Sequence, residues 1–175
     1  MLKVIMGIGL PGTGKTTALK SFAEKNSYNY ICPDDIRFEL LGDASDQTKN
    51  REVWQEAYKR LEGFLKNGET VVFDATFVKD LDRKRFIEFV RGLGVEKIQG
   101  IVTEVPLDIA YERNRSRERK VPDYAMERMA KSFKELPPEI SEGFDSLFYI
   151  NEFQELVRVE VENELDVAKK EFKIK

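Results

Sequence analysis

The residues at positions 9–16 follow the pattern Gly-x-x-x-x-Gly-Lys-Thr, with a short apolar run before them and apolar residues at helical spacing after them. Glycines let backbone N–H groups approach a bound anion closely, and the N-terminus of the following helix attracts negative charge. This arrangement is typical of loops that bind the phosphates of a nucleoside triphosphate. The alternative is a glycine-rich turn that binds no ligand.

The loop predicts that ATP and Mg²⁺ are cofactors. We expect Lys15 to reach the β- and γ-phosphates and the Thr16 hydroxyl to hold Mg²⁺, which bridges the same oxygens. The expected ATP contacts in the loop are Gly12, Thr13, Gly14, Lys15, Thr16 and Thr17. Lys15 is also a candidate catalytic residue, because a cation beside the transferring phosphate stabilises charge in the transition state.

Asp34 follows an apolar run at 28–31, in a position where a hydroxyl could approach the terminal phosphate. Transfer of a phosphoryl group needs a carboxylate to orient or deprotonate the attacking hydroxyl. Asp34 is our candidate for that carboxylate, with Arg37 close by. The alternative interpretation makes Asp34 the N-cap of a helix that begins at residue 35.

Asp74 and Thr76 follow a third apolar run, at 70–73. We expect Asp74 to contact Mg²⁺, its water shell or the acceptor, and Thr76 to lie on the acceptor side. In the alternative interpretation, Asp74 is an ordinary aspartate where a strand leads into a turn.

A dense basic segment over residues 113–120 contains four arginines and one lysine, with Glu112 before it and Glu118 within it. On a helix, Arg113 and Arg117 would share one face and Arg115 and Arg119 another, so only one pair could reach a single ligand. We expect a basic lid over about 112–122, with Arg113 and Arg117 contacting ATP. The alternative is a solvated helix whose charges pair with each other.

Composition excludes several kinds of site. The 175 residues include no histidine, which excludes histidine-dependent triads, and a single cysteine, Cys32, which excludes an internal disulfide and a cysteine zinc cluster. A proton acceptor must therefore be a carboxylate, Lys or Tyr. No apolar stretch approaches the roughly 18 residues of a membrane span, and no signal-peptide pattern opens the chain, so we expect a cytoplasmic protein without a membrane partner.

Short apolar runs typical of buried strands alternate with stretches of helical spacing. The strand candidates lie near residues 2–8, 28–31, 70–73, 97–102 and 147–150. This alternation predicts an α/β fold of the P-loop NTPase or kinase kind, a parallel sheet of about five strands with helices on both faces and an arginine-rich lid. Ligands bind beyond the carboxyl ends of such strands, where all the candidate residues above fall.

We expect residues 1–150 to form this P-loop kinase domain and residues 151–175 to form a C-terminal extension. Within the extension, Val157, Val159 and Val161 alternate with charged residues as in a strand. Residues 165–172 have the spacing of a helix. The two patterns leave the structure of the extension open.

The motifs, taken in order, resemble the kinase domain of bacteriophage-type polynucleotide 5′-hydroxyl kinase over about residues 3–150. The residues that carry the resemblance are the loop at 9–16, Asp-Asp-Ile-Arg at 34–37, Asp-Ala-Thr at 74–76, Arg-Asn-Arg-Ser-Arg at 113–117 and Val-Pro at 121–122. The resemblance implies that Asp34 is the general base and that Arg37 engages the phosphate of the acceptor. It also implies that Arg117 stabilises the transferring phosphate.

Two features depart from that family. Phe77 stands where the phage enzyme has Asn, and the Asp-x-Asp-x-Thr element of its 3′-phosphatase domain does not occur. The same motifs also resemble the kinase domain of O-phosphoseryl-tRNA kinase.

Three functions remain open at this stage. The leading hypothesis is ATP-dependent phosphorylation of the 5′-hydroxyl of RNA or DNA, with Arg37, Asp74 and Thr76 contacting the acceptor. The net charge of −3 favours a second hypothesis, a kinase for a small metabolite, because binding to nucleic acid depends on basic surface. The third is an ATP-hydrolysing switch or assembly module, which usually needs an arginine from a neighbouring molecule.

Overall fold

The computed structural model describes residues 1–162, and its centre is a six-stranded sheet. The strands are β1 (Lys3–Ile8), β2 (Asn29–Ile31), β3 (Val71–Asp74), β4 (Lys97–Thr103), β5 (Ser146–Ile150) and β6 (Leu156–Val161). The helices are α1 (Lys15–Asn26), α2 (Pro33–Leu41), α3 (Asn50–Lys66), α4 (Asp80–Gly92), α5 (Leu107–Ser116) and α6 (Asp123–Glu135). A short 3-10 helix, Ile140–Glu142, precedes β5.

The strand order is β2-β3-β1-β4-β5-β6, and every neighbouring pair except the last is parallel. The predicted α/β fold with a mainly parallel sheet is confirmed. The sheet has one strand more than the five expected, because the alternating valines of β6 pair antiparallel with β5. The first strand, β1, lies between β3 and β4, so the chain leaves the middle of the sheet in both directions, and its carboxyl end opens into the crevice typical of such folds.

Alternating residues of the central strands are buried on opposite faces of the sheet. Ile5 of β1 and Val72 of β3 pack against Leu19 and Ala23 of α1. Their neighbours along the strands belong to the larger core on the other face, which also contains side chains of α2, α3 and α4. Because both faces are covered, the strands read as continuous apolar runs in the sequence.

An aromatic cluster fills the larger core. Tyr58 of α3 packs against Phe73, Phe86 and Phe89, with ring centroids 4.7–6.4 Å apart. Trp54, one turn earlier in α3, also lies beside Phe73 at 5.9 Å. Tyr58 itself is half-buried and packs against the core.

Arg83 is a fully buried cation that the sequence did not indicate. Its guanidinium donates to both carboxylate oxygens of Glu142 at 2.7 Å and to the carbonyls of Phe77 and Leu136 at 2.8 and 2.7 Å. These bonds tie α4 to the 3-10 helix and to the loop after β3. Burial is tolerated because the charge has a bidentate partner and further acceptors.

No helix within residues 1–162 combines the length and the apolar character that crossing a membrane requires. The helix interpretation of residues 165–172 falls outside the described residues. The division of the chain at residue 150 stays a prediction, and β6 continues the same sheet as β5.

Candidate active site

The glycine loop connects β1 to α1 at the carboxyl edge of the sheet. Gly12 and Gly14 have φ angles of 79° and 80°, in the left-handed region that favours glycine. A Cβ on Gly12 would lie 2.3 Å from the carbonyl oxygen of Ala110, so the loop also packs directly on α5. Backbone conformation and close packing therefore both require glycine at position 12.

Thr13 is buried inside the loop rather than facing the cavity. Its hydroxyl donates to the Leu10 carbonyl at 2.7 Å and lies 2.7 Å from the Thr103 hydroxyl. These bonds hold the loop against β4. Thr13 was predicted to contact ATP, and in this arrangement such a contact would come from its backbone N–H.

Asp74, the last residue of β3, accepts hydrogen bonds from three donors, two on α1 and one on β2. Lys15 Nζ pairs with Oδ1, Thr16 Oγ1 donates to Oδ2 at 2.8 Å, and the Tyr30 hydroxyl donates to Oδ2 at 2.5 Å. Lys15 also donates to the carbonyl of Ala75 at 3.0 Å. The Asp74 side chain is fully buried, so its charge is compensated by these neighbours.

Tyr30 of β2 is a part of this cluster that sequence reasoning missed. Burial, followed by the charge of Asp74, raises the pKa of its phenol far above the usual range, so its hydroxyl remains a donor. Tyr30 reaches Asp74 because β2 pairs with β3, with Tyr30 opposite Val72. No local sequence pattern around residue 30 predicts that β2 pairs with β3.

The oxygen atoms at this point fit Mg²⁺, which takes hard oxygen ligands and keeps several waters. The Thr16 hydroxyl and the Asp74 carboxylate lie 2.8 Å apart at the start of α1. Thr16 would hold the ion, and Asp74 would hold it directly or through its water shell. When bound, the ion would neutralise charge on the phosphate oxygens.

The carboxylate of Asp34 lies on α2, at a neighbouring point of the sheet edge. The helix begins at Pro33, with Cys32 as its N-cap, so the interpretation of Asp34 as an N-cap is wrong. Proline occupies the first helical position because its fixed φ suits a helix start, and this places Asp34 in the first turn. Asp34 lines the cavity beside the glycine loop.

Arg37 is 3% exposed and reaches the same cavity from below Asp34. Its Nη1 donates to Asp34 Oδ1 at 2.5 Å and its Nη2 donates to Asn50 Oδ1 at 2.7 Å. Its Nε has no hydrogen-bond partner among residues 1–162. A buried donor without an acceptor is costly, and Arg37 also contributes its positive charge to the cavity wall.

The lid differs from the expected helix. Because α5 ends at Ser116 and Arg117 is extended, with φ −86° and ψ 156°, the expectation that Arg113 and Arg117 share a helix face is wrong. The chain after residue 116 turns independently of the helical period, so Arg113, Arg117 and Arg119 all line the cavity. Arg115 instead points away and donates to Asp123 at 2.9 Å.

Asn114 joins the two ends of the lid loop through hydrogen bonds of its side chain. Its side-chain amide donates to the Val121 carbonyl at 2.7 Å and accepts from the Val121 N–H at 3.0 Å. The Asn114 side chain is buried, and the two bonds join α5 to Val121, which directly precedes Pro122, the N-cap of α6. The segment between them is thereby held as a loop over the cavity.

Within that loop, Arg117 and Arg119 are close neighbours. Burial, followed by the charge of Arg119, lowers the pKa of Arg117, while Asp34 opposes the shift. The Nε of Arg117 is a second buried donor without a partner in the described part of the chain. Arg119 pairs with Asp34 Oδ2 at 3.0 Å.

The glycine loop, α2, α3, the lid and α6 together enclose a cavity of about 970 Å³. Of the described residues, seven basic side chains line it, against the single acidic side chain of Asp34. The basic residues are Lys15, Arg37, Arg113, Arg117, Arg119, Lys120 and Arg128. The cavity wall is therefore strongly positive, although the net charge of the whole chain is −3. Thr16, Thr17 and Thr76 also line the cavity, and Asp74 lies beneath Lys15 and Thr16.

Sequence reasoning missed several residues of the cavity wall. Asn50 holds Arg37, Arg119 holds Asp34, and Tyr124 and Arg128 face the cavity from α6, 5.7 Å apart as a cation–π pair. Trp54 of α3 also lines the cavity while packing on Phe73. The basic run did draw attention to Arg119, but helical spacing assigned it to the wrong face.

The family model described as AAA domain matches residues 4–136, so the chain belongs to this family. Together with the fold and the glycine loop, this match defines a P-loop kinase, an enzyme that binds a nucleoside triphosphate.

Solved structures with the same fold include several kinases. A candidate kinase from Chloroflexus aurantiacus has a TM-score of 0.65 at 20% identity, with 85% of this chain and 87% of that chain covered. A chain of the Pnkp1/Rnl/Hen1 RNA repair complex has a TM-score of 0.64 at 20% identity, covering 93% of this chain and 50% of that one. A gluconokinase from Sinorhizobium meliloti has a TM-score of 0.57 at 16% identity, with 87% and 84% covered.

Proposed function

We propose that this kinase transfers the γ-phosphoryl group of ATP to the 5′-hydroxyl of RNA or DNA. The observation that carries the proposal is the buried guanidinium of Arg37, which holds Asp34, lines the cavity and has an Nε without a partner among the described residues. A base carboxylate next to a buried cation suits an acceptor that has both a hydroxyl and an anionic group close together. The end of a nucleic acid strand has this chemistry.

The distribution of charge in the cavity supports an anionic acceptor. Lys15, Arg113 and Arg117 are on the side of the glycine loop and α5, where they would neutralise the triphosphate. Arg37 and Arg128 approach from α2 and α6, on the acceptor side. A neutral sugar would add no negative charge to a cavity wall that carries seven basic side chains and one acidic one, whereas a strand end brings its own phosphates.

The proposed step assigns one role to each side chain. Asp34 accepts the proton of the attacking hydroxyl, whose oxygen forms a bond to the γ-phosphorus. The bond from that phosphorus to the β–γ bridging oxygen breaks, and ADP leaves with the electron pair. Lys15 and Arg117 stabilise charge on the transferring group, and Arg37 orients the acceptor phosphate.

The RNA repair complex whose chain shares this fold is in keeping with a nucleic acid substrate. The test is transfer of label from γ-³²P-ATP to 5′-hydroxyl oligonucleotides, RNA and DNA, of several lengths. We expect labelled 5′ ends, and activity that falls steeply with salt because phosphate contacts release counterions. Absence of label at every length and with either sugar would remove the nucleic acid assignment.

A small-metabolite kinase is the second candidate, favoured by the acidic net charge and by the cavity of about 970 Å³, which is within the usual range for small-molecule sites. The gluconokinase with this fold illustrates such an acceptor. A screen of sugars and hydroxy acids would identify it. Activity on one of these compounds that hardly changes with salt, with none on oligonucleotides, would select this candidate.

A further inference from the structure

Two arginines from distant parts of the chain hold the two oxygens of Asp34. Arg37, one turn further along α2, donates to Oδ1 at 2.5 Å, and Arg119 of the lid lies 3.0 Å from Oδ2. The carboxylate proposed as the base therefore has a cation at each oxygen. An acceptor hydroxyl needs one of these oxygens for its proton.

The two contacts differ in how firmly they are held. Arg37 is buried and is also fixed by Asn50, whereas the Arg119 side chain is 36% exposed and that of Asp34 is 44% exposed. An exposed ion pair changes an equilibrium by no more than about fivefold, so a stronger anion can displace it. Arg119 is thus the partner that Asp34 can lose.

We propose that Arg119 is a specificity-determining residue, which releases Asp34 when an acceptor brings a phosphate next to its reacting hydroxyl. This inference rests on the proposed function. The phosphate attracts the guanidinium away from Oδ2, and the freed oxygen then accepts the hydroxyl proton. An acceptor without a phosphate leaves the ion pair between Arg119 and Asp34 in place. Both oxygens of Asp34 then stay paired with arginines and neither is free to accept the hydroxyl proton.

The surroundings of Arg119 favour its movement towards an anion. The charges of Arg117 and Arg119 act on each other, and Lys120 and Arg128 line the same cavity, so an arriving phosphate would neutralise an excess of positive charge there. The two bonds between Asn114 and Val121 hold the end of the lid loop. The side chain can therefore turn from Asp34 to the acceptor without opening the lid.

The experiment compares adenosine 3′-phosphate with adenosine as acceptors at saturating ATP, using Arg119→Ala and Arg119→Lys. We expect Arg119→Ala to lower kcat/KM for adenosine 3′-phosphate by about tenfold or more, the effect of losing one charged hydrogen bond. For adenosine, kcat/KM should stay level or rise, because Asp34 is no longer occupied. Arg119→Lys should restore part of the discrimination between the two acceptors.

Arg115→Ala is the matched control, since Arg115 is a lid arginine that pairs with Asp123 outside the cavity. It should leave the ratio of the two kcat/KM values unchanged. A parallel fall for both acceptors in Arg119→Ala, or no change in either, would overturn the inference.

A binding measurement separates this inference from the proposed function. Calorimetry without transfer should show that adenosine 3′-phosphate binds the wild type more tightly than adenosine does, and that Arg119→Ala reduces the difference, with Arg37 supplying the remainder. If wild type binds this way but labels no nucleic acid acceptor, the proposed function fails and the contact of Arg119 with the phosphate stands. If the phosphate adds nothing to binding, or if its contribution is undiminished in Arg119→Ala, the role of Arg119 is wrong.

Discussion

The hydroxyl of Thr16 donates a hydrogen bond of 2.8 Å to the carboxylate of Asp74, joining the start of α1 to the end of β3. Lys15 and Tyr30 donate to the same carboxylate. The phosphate loop and the third strand thus share one buried acid. This cluster joins the proposed Mg²⁺ ligand Thr16 and the proposed phosphate-binding residue Lys15 to the sheet. Residue 74 must therefore be a negatively charged acceptor.

Asp74→Asn should raise the Mg²⁺ concentration needed for half-maximal activity and lower kcat by about a hundredfold, because a neutral amide holds the ion or its waters less well. A magnesium titration of phosphoryl transfer measures both quantities. Tyr30→Phe is the control: it removes a single hydrogen bond to Asp74 and should cost about 1 kcal/mol of stability with a much smaller shift in Mg²⁺ requirement. Equal Mg²⁺ requirements in wild type and Asp74→Asn would contradict the assignment.

Asp34→Asn should lower kcat by about two to four orders of magnitude, the usual contribution of a general base. The affinity for ATP should change little, because in the proposed function Asp34 contacts the acceptor and not the nucleotide. Single-turnover rates and nucleotide binding measured on the same preparation test the split. Asp35→Asn, altering a carboxylate that pairs with Lys20 at 3.4 Å, is the matched control and should remain near wild type. A wild-type rate in Asp34→Asn would exclude Asp34 as the base.

Asn114→Ala should loosen the lid, because it deletes both bonds to Val121. We expect KM for ATP to rise about tenfold and the free energy of unfolding to fall by about 1–3 kcal/mol, since the Val121 N–H and carbonyl lose their partner. Steady-state kinetics and denaturant unfolding provide the two numbers. Unchanged KM for ATP in a folded Asn114→Ala protein would show that the clamp does not position the lid.

Glu142→Ala should lower the free energy of unfolding by about 3–5 kcal/mol, because it leaves the buried guanidinium of Arg83 without its carboxylate. Glu142→Gln keeps acceptor capacity and should cost less. Denaturant melts measure the loss, and kcat of the folded fraction should stay close to wild type because Arg83 does not line the cavity. Removal of the exposed Lys84–Asp80 pair should cost about 1 kcal/mol or less.

Cys32 should resist thiol reagents in the folded protein. Burial, followed by the charge of Asp74, raises the pKa of Cys32 to about 11, so the thiolate that reacts is scarce near pH 8. We expect labelling with a thiol-reactive dye at pH 8 to require unfolding. The unfolded thiol ionises near its ordinary pKa, so this group favours unfolding increasingly as pH rises from about 9 to 11. Rapid labelling of the native protein at pH 8 would contradict the buried position.

Much of the fold could be predicted from the order of short apolar runs and helical stretches. The glycine loop, the strand that ends at Asp74, the strand that precedes Asp34 and the parallel sheet all follow from local patterns. The physical reason is that strand and helix periods, glycine spacing and the crossover rule act over short stretches of chain. The same patterns did not predict the exact ends of the helices. The helix α2 begins one residue before Asp34, and α5 ends before Arg117.

Local residue patterns were enough to predict a phosphate-binding loop at the edge of a parallel sheet, with acids and arginines close to it. Which of these groups contact one another depends on the packing of distant parts of the chain. Tyr30 reaches Asp74 through the pairing of β2 with β3, Asn114 reaches Val121 across the lid, and Arg119 reaches Asp34 over 85 positions of chain. Such contacts depend on the register of strands and on where a helix stops, and those are set by the packing of the whole core rather than by the residues nearby.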